Sequence, residues 1–165
     1  MSRIIIAYNP VRKISNDIID RFSIAESFIQ SQTAQETKIH RSFFLNGNAF
    51  ISVVFKKNQE DQIFIDSKTG LAVFIDGSPL VGVRTMSAKN IGEQYLKVGP
   101  EKMASNIDGS WSAVIVEPKN NSILIFRDRF GRVPFYFSKN TDYFLASSSP
   151  GSLVKSRLMP AKYNA

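Results

Sequence analysis

Short apolar runs, each ended by turn-forming residues, are the feature that most limits how this chain can fold. Residues 3–8 and 71–75 are rich in β-branched and aliphatic side chains, and runs of this length favour strands over helices. Asn46-Gly47 separates two more such runs, 39–45 and 49–55, and Asn-Gly between apolar runs is a strong hairpin signal. The sequence therefore predicts a protein rich in short antiparallel strands.

Two segments have helical periodicity instead. After the capping candidates Ser15-Asn16-Asp17, apolar residues recur at spacings of four, three and four, which places them on one helical face. These residues are Ile18, Phe22, Ala25 and Ile29. Residues 87–106 are predicted to be helical in pieces broken at Gly99-Pro100. The buried side of those pieces is assigned to Ile91, Tyr95, Leu96 and Met103.

Further strands complete an α+β pattern. A short strand is predicted at 62–66, and a four-strand meander at the runs 111–117, 122–127, 134–138 and 143–146. Strands grouped apart from helices indicate α+β rather than alternating βαβ architecture. Because several strands lack a polar face, we expect two sheets stacked face to face and covered by helices.

Composition excludes several classes of function. The chain has 165 residues, no cysteine and a single histidine, His40, which rules out disulfides, thiolate metal sites and multi-histidine metal centres. No cofactor is expected. No apolar run reaches the roughly 20 residues of a membrane span, so a soluble, cytoplasmic protein is predicted. The net charge of +7 comes from scattered lysines and arginines, which argues against a nucleic-acid-binding stripe.

The segment 106–149 carries the most specific motif. It contains Arg-Asp-Arg-Phe-Gly-Arg-Val-Pro-Phe-Tyr, followed by Phe-Leu-Ala-Ser-Ser. This resembles the signature Arg-Asp-x-x-Gly-x-x-Pro-Leu-Tyr-Tyr and Phe-Ala-Ser-Glu of class II glutamine amidotransferase domains, especially that of asparagine synthetase. The matching residues are Arg127, Asp128, Gly131, Pro134 and Tyr136.

The resemblance implies a fold and a domain organisation. It covers residues 2–155 and implies a four-layer αββα N-terminal-nucleophile hydrolase-like sandwich of two mainly antiparallel sheets. The glutaminase-like domain is assigned to residues 1–155, and residues 156–165 to a C-terminal tail or the start of a linker to a synthetase domain. The motif around Arg127, Asp128, Arg129, Gly131 and Pro134 is interpreted as structural, because Asp128 can accept backbone N–H groups and Gly131 can supply a positive φ.

The same resemblance locates the family's catalytic positions. The family uses an N-terminal cysteine as nucleophile, with its own α-amine as base, and this chain has Ser2 there. Where the family has the asparagine that stabilises the oxyanion, this chain has Asp76, followed by a retained Gly77. An ionised carboxylate repels an oxyanion instead of donating to it. We therefore interpret Asp76 and Gly77 as a vestigial oxyanion region.

The family's glutamine-holding residues are also changed. Its His-Arg-Gly-Pro-Asp motif is absent, since His40-Arg41 precedes Ser42-Phe43 on a predicted strand. The segment 86–90, where the amine-binding aspartate is expected, holds no carboxylate. The sequence thus predicts a degenerate, non-catalytic glutaminase-like domain. It would act as scaffold or partner for an ATP-dependent, amide-forming synthetase domain or subunit of the asparagine synthetase type, with self-association left open.

Two other functions remain open at this stage. Ser2 with its free α-amine could serve an N-terminal-nucleophile amidohydrolase acting on another amide, which requires removal of Met1. The basic charge could instead serve a module that binds RNA or an acidic protein, which predicts salt-sensitive association.

Overall fold

The structure, a computed structural model, describes residues 3–139 and 141–159. The described elements follow one another as β1 (Arg3–Tyr8), α1 (Asn16–Ser31), β2 (Thr37–Phe44), β3 (Ala49–Lys56), β4 (Ile63–Ile65), β5 (Ala72–Val81), β6 (Arg84–Thr85), α2 (Ala88–Val98), α3 (Pro100–Ser105), β7 (Asp108–Glu117), β8 (Ser122–Arg127), β9 (Tyr136–Lys139), β10 (Phe144–Ser147) and α4 (Pro150–Lys155). The chain divides into two compact units. The first unit comprises Arg3–Lys57 with residues 135–159, and the second unit comprises Asn58–Pro134.

The first unit contains a five-stranded sheet in the order β2-β3-β1-β10-β9. All of its pairings are antiparallel. Helix α1 starts after Ser15, whose backbone is extended, and buries one apolar stripe against the sheet. Phe22 of this helix contacts Phe50 of β3 edge to face, with ring centroids 5.0 Å apart. The core of this unit therefore lies between α1 and the sheet.

The second unit contains a second five-stranded antiparallel sheet, in the order β4-β5-β7-β8 with β6 paired to β5. Helix α2 starts with a capping box in which Asn90 N–H donates to Ser87 Oγ at 3.2 Å and Ser87 N–H donates to Asn90 Oδ1 at 3.1 Å. Ile91 and Tyr95 of α2 join a buried cluster with Trp111 of β7. The helix thus covers one face of this sheet.

The structure confirms the predicted helices and hairpin and corrects three details. The Asn46-Gly47 turn joins β2 to β3, and Gly99-Pro100 separates α2 from α3. Leu96 is 59% exposed, so its assignment to the buried side was wrong. It follows Tyr95 directly, and adjacent helical residues do not share a face. The short β6 and α4 were not predicted.

The predicted four-strand meander was also wrong, because its strands belong to different sheets. β8 pairs with β7, whereas β9 pairs with β10 in the first unit. Consecutive strands usually pair, which is why sequence order suggested a meander. The connection 128–135 instead carries the chain from one sheet to the other.

No helix within residues 3–139 and 141–159 is both long and apolar enough to span a bilayer.

Candidate functional site

At two glycines, the paired strands β5 and β7 leave no room for a side chain. Gly77 and Gly109 lie within these paired strands with φ angles of +101° and +94°. A Cβ atom on Gly77 would lie 2.2 Å from the backbone oxygen of Ser110, and one on Gly109 would lie 2.3 Å from that of Ser78. No other residue type fits at either position without moving the backbone. Glycine is therefore required at both positions of this strand pair.

Asp76 precedes Gly77 on β5 and is fully buried. It lies opposite Ser112 of β7, which is also fully buried, and Ser112 lies opposite Arg127 of β8. Directly opposed residues share one face of a sheet. Asp76 lies inside the β5–β7 ladder, which runs from Ala72 to Leu80. Its role as a vestigial oxyanion residue stays a prediction.

A buried carboxylate organises the turn that follows β8. Asp128 is 3% exposed. Its Oδ1 accepts hydrogen bonds from the backbone N–H groups of Phe130 at 3.0 Å and Arg132 at 3.2 Å, and its Oδ2 accepts one from Val133 at 3.2 Å. The N–H of Gly131, whose φ is +64°, donates to the Asp128 carbonyl at 3.0 Å. One side chain thus fixes the path of the turn.

The ionisation of Asp128 reflects this environment. Burial alone would raise the pKa of its carboxyl group, but the hydrogen bonds from the backbone of Arg132, Val133 and Phe130 outweigh burial and lower the pKa. The carboxylate is therefore ionised at neutral pH, and the turn it holds is strongest in that form.

The remaining motif residues surround this turn. The Arg127 guanidinium lies beside Gly131, where an added Cβ would be 3.4 Å from Arg127 Nη1. Arg129 Nη2 lies 3.8 Å from Asp108 Oδ1, with both side chains exposed. Pro134 is the last residue of the second unit. Ser2, the nucleophile predicted for an active enzyme, lies outside the described residues.

The second unit contains an open cleft of about 430 Å³ next to Gly77. Its lining includes Ser78 and Ser110, the two glycines Gly77 and Gly109, and Arg132. The Arg132 guanidinium also lies over the Phe130 ring, 5.1 Å from the centroid. Sequence reasoning missed Arg132 because this residue occupies a variable position of the motif. The only signal in the sequence was an arginine two residues after the aromatic Phe130.

Sequence reasoning also missed an ion pair between a buried glutamate and a partly exposed arginine in the first unit. Glu26 of α1 is 1% exposed, and its carboxylate accepts hydrogen bonds from Arg41 Nε at 2.9 and 3.1 Å and from the Ser52 hydroxyl. Arg41 Nη2 also donates to Glu26 and to Ser23. The hydrogen bond with Glu26 raises the pKa of Arg41. Arg41 is therefore engaged within the unit, holding α1 to the sheet.

The part of the chain that the structure describes has no group of three or more histidine, aspartate or glutamate side chains placed to hold a metal ion.

Comparison with known proteins supports the resemblance. The family model of a glutamine amidotransferase domain matches residues 83–155, which include the Asp128 turn. Among solved structures, the glutamine phosphoribosylpyrophosphate (PRPP) amidotransferase from B. subtilis, complexed with ADP and GMP, matches with a TM-score of 0.58 and 12% identity. The match covers 94% of this chain and 43% of that chain. No curated protein sequence matches significantly.

The family match and the structural match support different conclusions. The family match confirms the resemblance to glutamine amidotransferase domains for residues 83–155, and the structural match, at 12% identity, shows the fold alone. This chain spans less than half of the B. subtilis protein. The two antiparallel sheets and the structural match together confirm the predicted fold: the chain has the N-terminal-nucleophile hydrolase-like fold found in glutamine amidotransferase domains.

Proposed function

We propose that this chain is a non-catalytic glutaminase-like domain that acts as scaffold or partner for an ATP-dependent, amide-forming synthetase domain or subunit of the asparagine synthetase type. The observation that carries the proposal is Asp76. It stands next to Gly77, where the resembled family has its oxyanion asparagine, and it is fully buried on β5. An aspartate side chain lacks the amide N–H₂ group through which an asparagine donates to a developing oxyanion.

The state of Arg41 supports the loss of glutamine binding. It is the arginine of the His40-Arg41 pair, and its guanidinium is committed to Glu26. A guanidinium held by a buried carboxylate is not available to clamp the carboxylate of a free amino acid. Because Arg41 lies within strand β2, the pair also lacks the loop setting of the family's arginine motif.

The solved structure that this chain matches contains much further polypeptide, which supports a partner domain for this chain. The matched fold occupies 43% of the B. subtilis amidotransferase chain, so in that protein it works beside other polypeptide. We propose the same arrangement here, with the synthetase chemistry supplied by a separate subunit or by further chain.

The proposal is tested by tagging the protein at its native locus and purifying the assembly that forms. We expect a stoichiometric complex, or a longer single chain, with an asparagine synthetase-like ATP-dependent activity that falls at least tenfold when this domain is removed. A chain that purifies alone and hydrolyses an amide in a Ser2-dependent manner would overturn the proposal in favour of the amidohydrolase. Salt-sensitive association with RNA would instead favour the binding module.

A further inference from the structure

A cavity of about 300 Å³ lies at one end of the sheet in the first unit. Tyr8 ends β1, Phe144 begins β10 and Lys139 ends β9. Phe144 is paired directly with Tyr8 on one side and with Lys139 on the other. Because directly opposed residues share one face of a sheet, the three residues form a row across that face. Residues of the loops 9–11 and 141–143 complete the lining.

This cavity is remote from the position of the family's nucleophile. That position precedes Arg3, which begins β1, whereas the cavity lies beside Tyr8, which ends the same strand. At a rise of about 3.3 Å per residue, a strand of this length separates Arg3 from Tyr8 by about 16 Å. The cavity therefore lies at the opposite end of β1 from the catalytic position that the resemblance implies.

Three aromatic residues, Tyr8, Tyr143 and Phe144, line the cavity. The Phe144 ring stacks on Phe137 with ring centroids 5.9 Å apart, and the Tyr143 hydroxyl lies 3.3 Å from Ser15 Oγ. Because these neighbours already hold the two rings, little conformational entropy is lost when a ligand packs against them. Aromatic side chains pack favourably against another ring in offset or edge-to-face contact. The lining therefore favours a flat aromatic ligand.

The polar lining groups leave one positive charge without a partner. The carboxylate of Asp142 pairs with Arg12. Asn9, which is 4% exposed, donates to the Asp142 carbonyl and accepts from the backbone N–H groups of Val11 and Arg12. Lys139 also lines the cavity, and within residues 3–139 and 141–159 no carboxylate pairs with it. The Lys139 ammonium therefore favours an anionic group on the ligand.

We propose that this cavity binds a small aromatic molecule that carries an anionic group, with its ring against the aromatic walls and its anion at the Lys139 ammonium. The volume of about 300 Å³ lies at the lower end of the range of about 300–1,000 Å³ typical of small-molecule sites, which suits a single ring with a short substituent. The hydroxyls of Tyr8 and Thr141 add donors to the lining. The site does not depend on the proposed function, because a scaffold and a hydrolase would carry the same cavity.

The test is a titration of the full, isotopically labelled chain with phenyl phosphate, followed by backbone amide NMR at constant physiological ionic strength. We expect saturable shifts at the amides that line the cavity, namely those of Tyr8, Val11, Lys139, Tyr143 and Phe144. Phenol, which keeps the ring without the charge, should bind at least tenfold more weakly. Inorganic phosphate, which keeps the charge without the ring, should also bind at least tenfold more weakly. Shifts that do not saturate, or equal binding of either fragment, would overturn the proposal.

Variants then assign the binding groups. Lys139→Gln should raise the Kd for phenyl phosphate at least fivefold, and Lys139→Arg should restore most of the affinity. Tyr143→Leu, which removes one aromatic wall, should raise the Kd at least threefold. The matched control is Lys155→Gln, which removes an exposed lysine of the same unit outside the cavity and should leave the Kd unchanged. The spectra show directly that each variant is folded. A Kd that is unchanged in Lys139→Gln, or that rises equally in Lys155→Gln, would overturn the proposal.

Discussion

The two units of this chain are stabilised in different ways. In the first unit, a side-chain ion pair between Glu26 and Arg41 joins the helix to a regular sheet. In the second unit, positive-φ glycines lie inside paired strands, and the carboxylate of Asp128 binds backbone N–H groups. The carboxylate of Glu26 is hydrogen-bonded by the side chains of Arg41 and Ser52, whereas that of Asp128 is hydrogen-bonded by main-chain N–H groups. The first arrangement fixes a helix, and the second shapes a turn and a cleft.

This difference matters for function because a backbone-shaped region tolerates fewer substitutions. A Cβ atom cannot be placed at Gly77 or Gly109, whereas an ion pair can be replaced by other residues of similar volume. The open cleft lies in the second unit, and both glycines line it. Substitutions that disturb each unit separately therefore test whether the two units are stabilised in different ways.

The largest effect is expected from Gly77→Ala. Its Cβ would lie 2.2 Å from a backbone oxygen at a φ of +101°, so strand separation or strain follows, and we expect a loss of about 3 kcal/mol or more in the free energy of unfolding. Gly82→Ala is the control, because it has a φ of +60° but no atom within 4 Å, and should cost about 1 kcal/mol. Urea denaturation measures both. Equal losses would refute the close-approach explanation.

Arg41→Met should rank next, because it leaves the Glu26 carboxylate buried without its cation. We expect a loss of about 2–3 kcal/mol, below the value for a wholly buried pair since the Arg41 side chain is 44% exposed to water. The double variant Glu26→Gln/Arg41→Met should be more stable than Arg41→Met alone. A double-mutant cycle in urea measures the coupling. Additive losses would show that the pair contributes nothing.

Asp128→Asn should cost about 1–3 kcal/mol at neutral pH, because it replaces charge-assisted hydrogen bonds to three backbone N–H groups with weaker ones. Since the pKa of Asp128 is lowered by folding, its contribution is present above about pH 4, the unfolded value, and is lost as pH falls through the folded value. The free energies of unfolding of the wild type and of Asp128→Asn, measured by denaturation at several pH values, should converge in acid. A constant gap across pH would contradict the assignment.

The smallest effect concerns Tyr95, which lies in the core of the second unit. Burial, followed by hydrogen bonding to Glu117, raises its pKa to about 12. Because the folded pKa exceeds the unfolded value of about 10, stability from this group is complete below pH 10 and is lost as pH rises through the folded value. Ultraviolet titration should show a late tyrosinate step that disappears in Tyr95→Phe. A late step that remains would belong to another tyrosine.

The features that were predictable are those encoded locally. The hairpin at Asn46-Gly47 and the break at Gly99-Pro100 depend on the conformations of adjacent residues, and helix α1 follows from its own periodicity. The resemblance depended on one contiguous motif around Asp128. Local signals of this kind are readable in a single sequence.

The features that were missed depend on residues brought together by the fold. Glu26 and Arg41 are 15 positions apart, and nothing in the sequence links them. The steric need for glycine at 77 arises from the Ser110 carbonyl on another strand. Arg132 was overlooked because only the geometry of the turn places it in the cleft. The change of sheet between β8 and β9 is likewise a tertiary property.

The most direct test of the central claim is glutamine hydrolysis by the full chain, prepared without an N-terminal tag and with its N-terminus established by intact mass. Glutamate formation is measured for the wild type and for Ser2→Ala at high glutamine concentration. The proposed loss of the oxyanion donor and of the glutamine clamp predicts no glutamate above the buffer rate in either protein. Glutamate formed by the wild type and lost in Ser2→Ala would contradict the account.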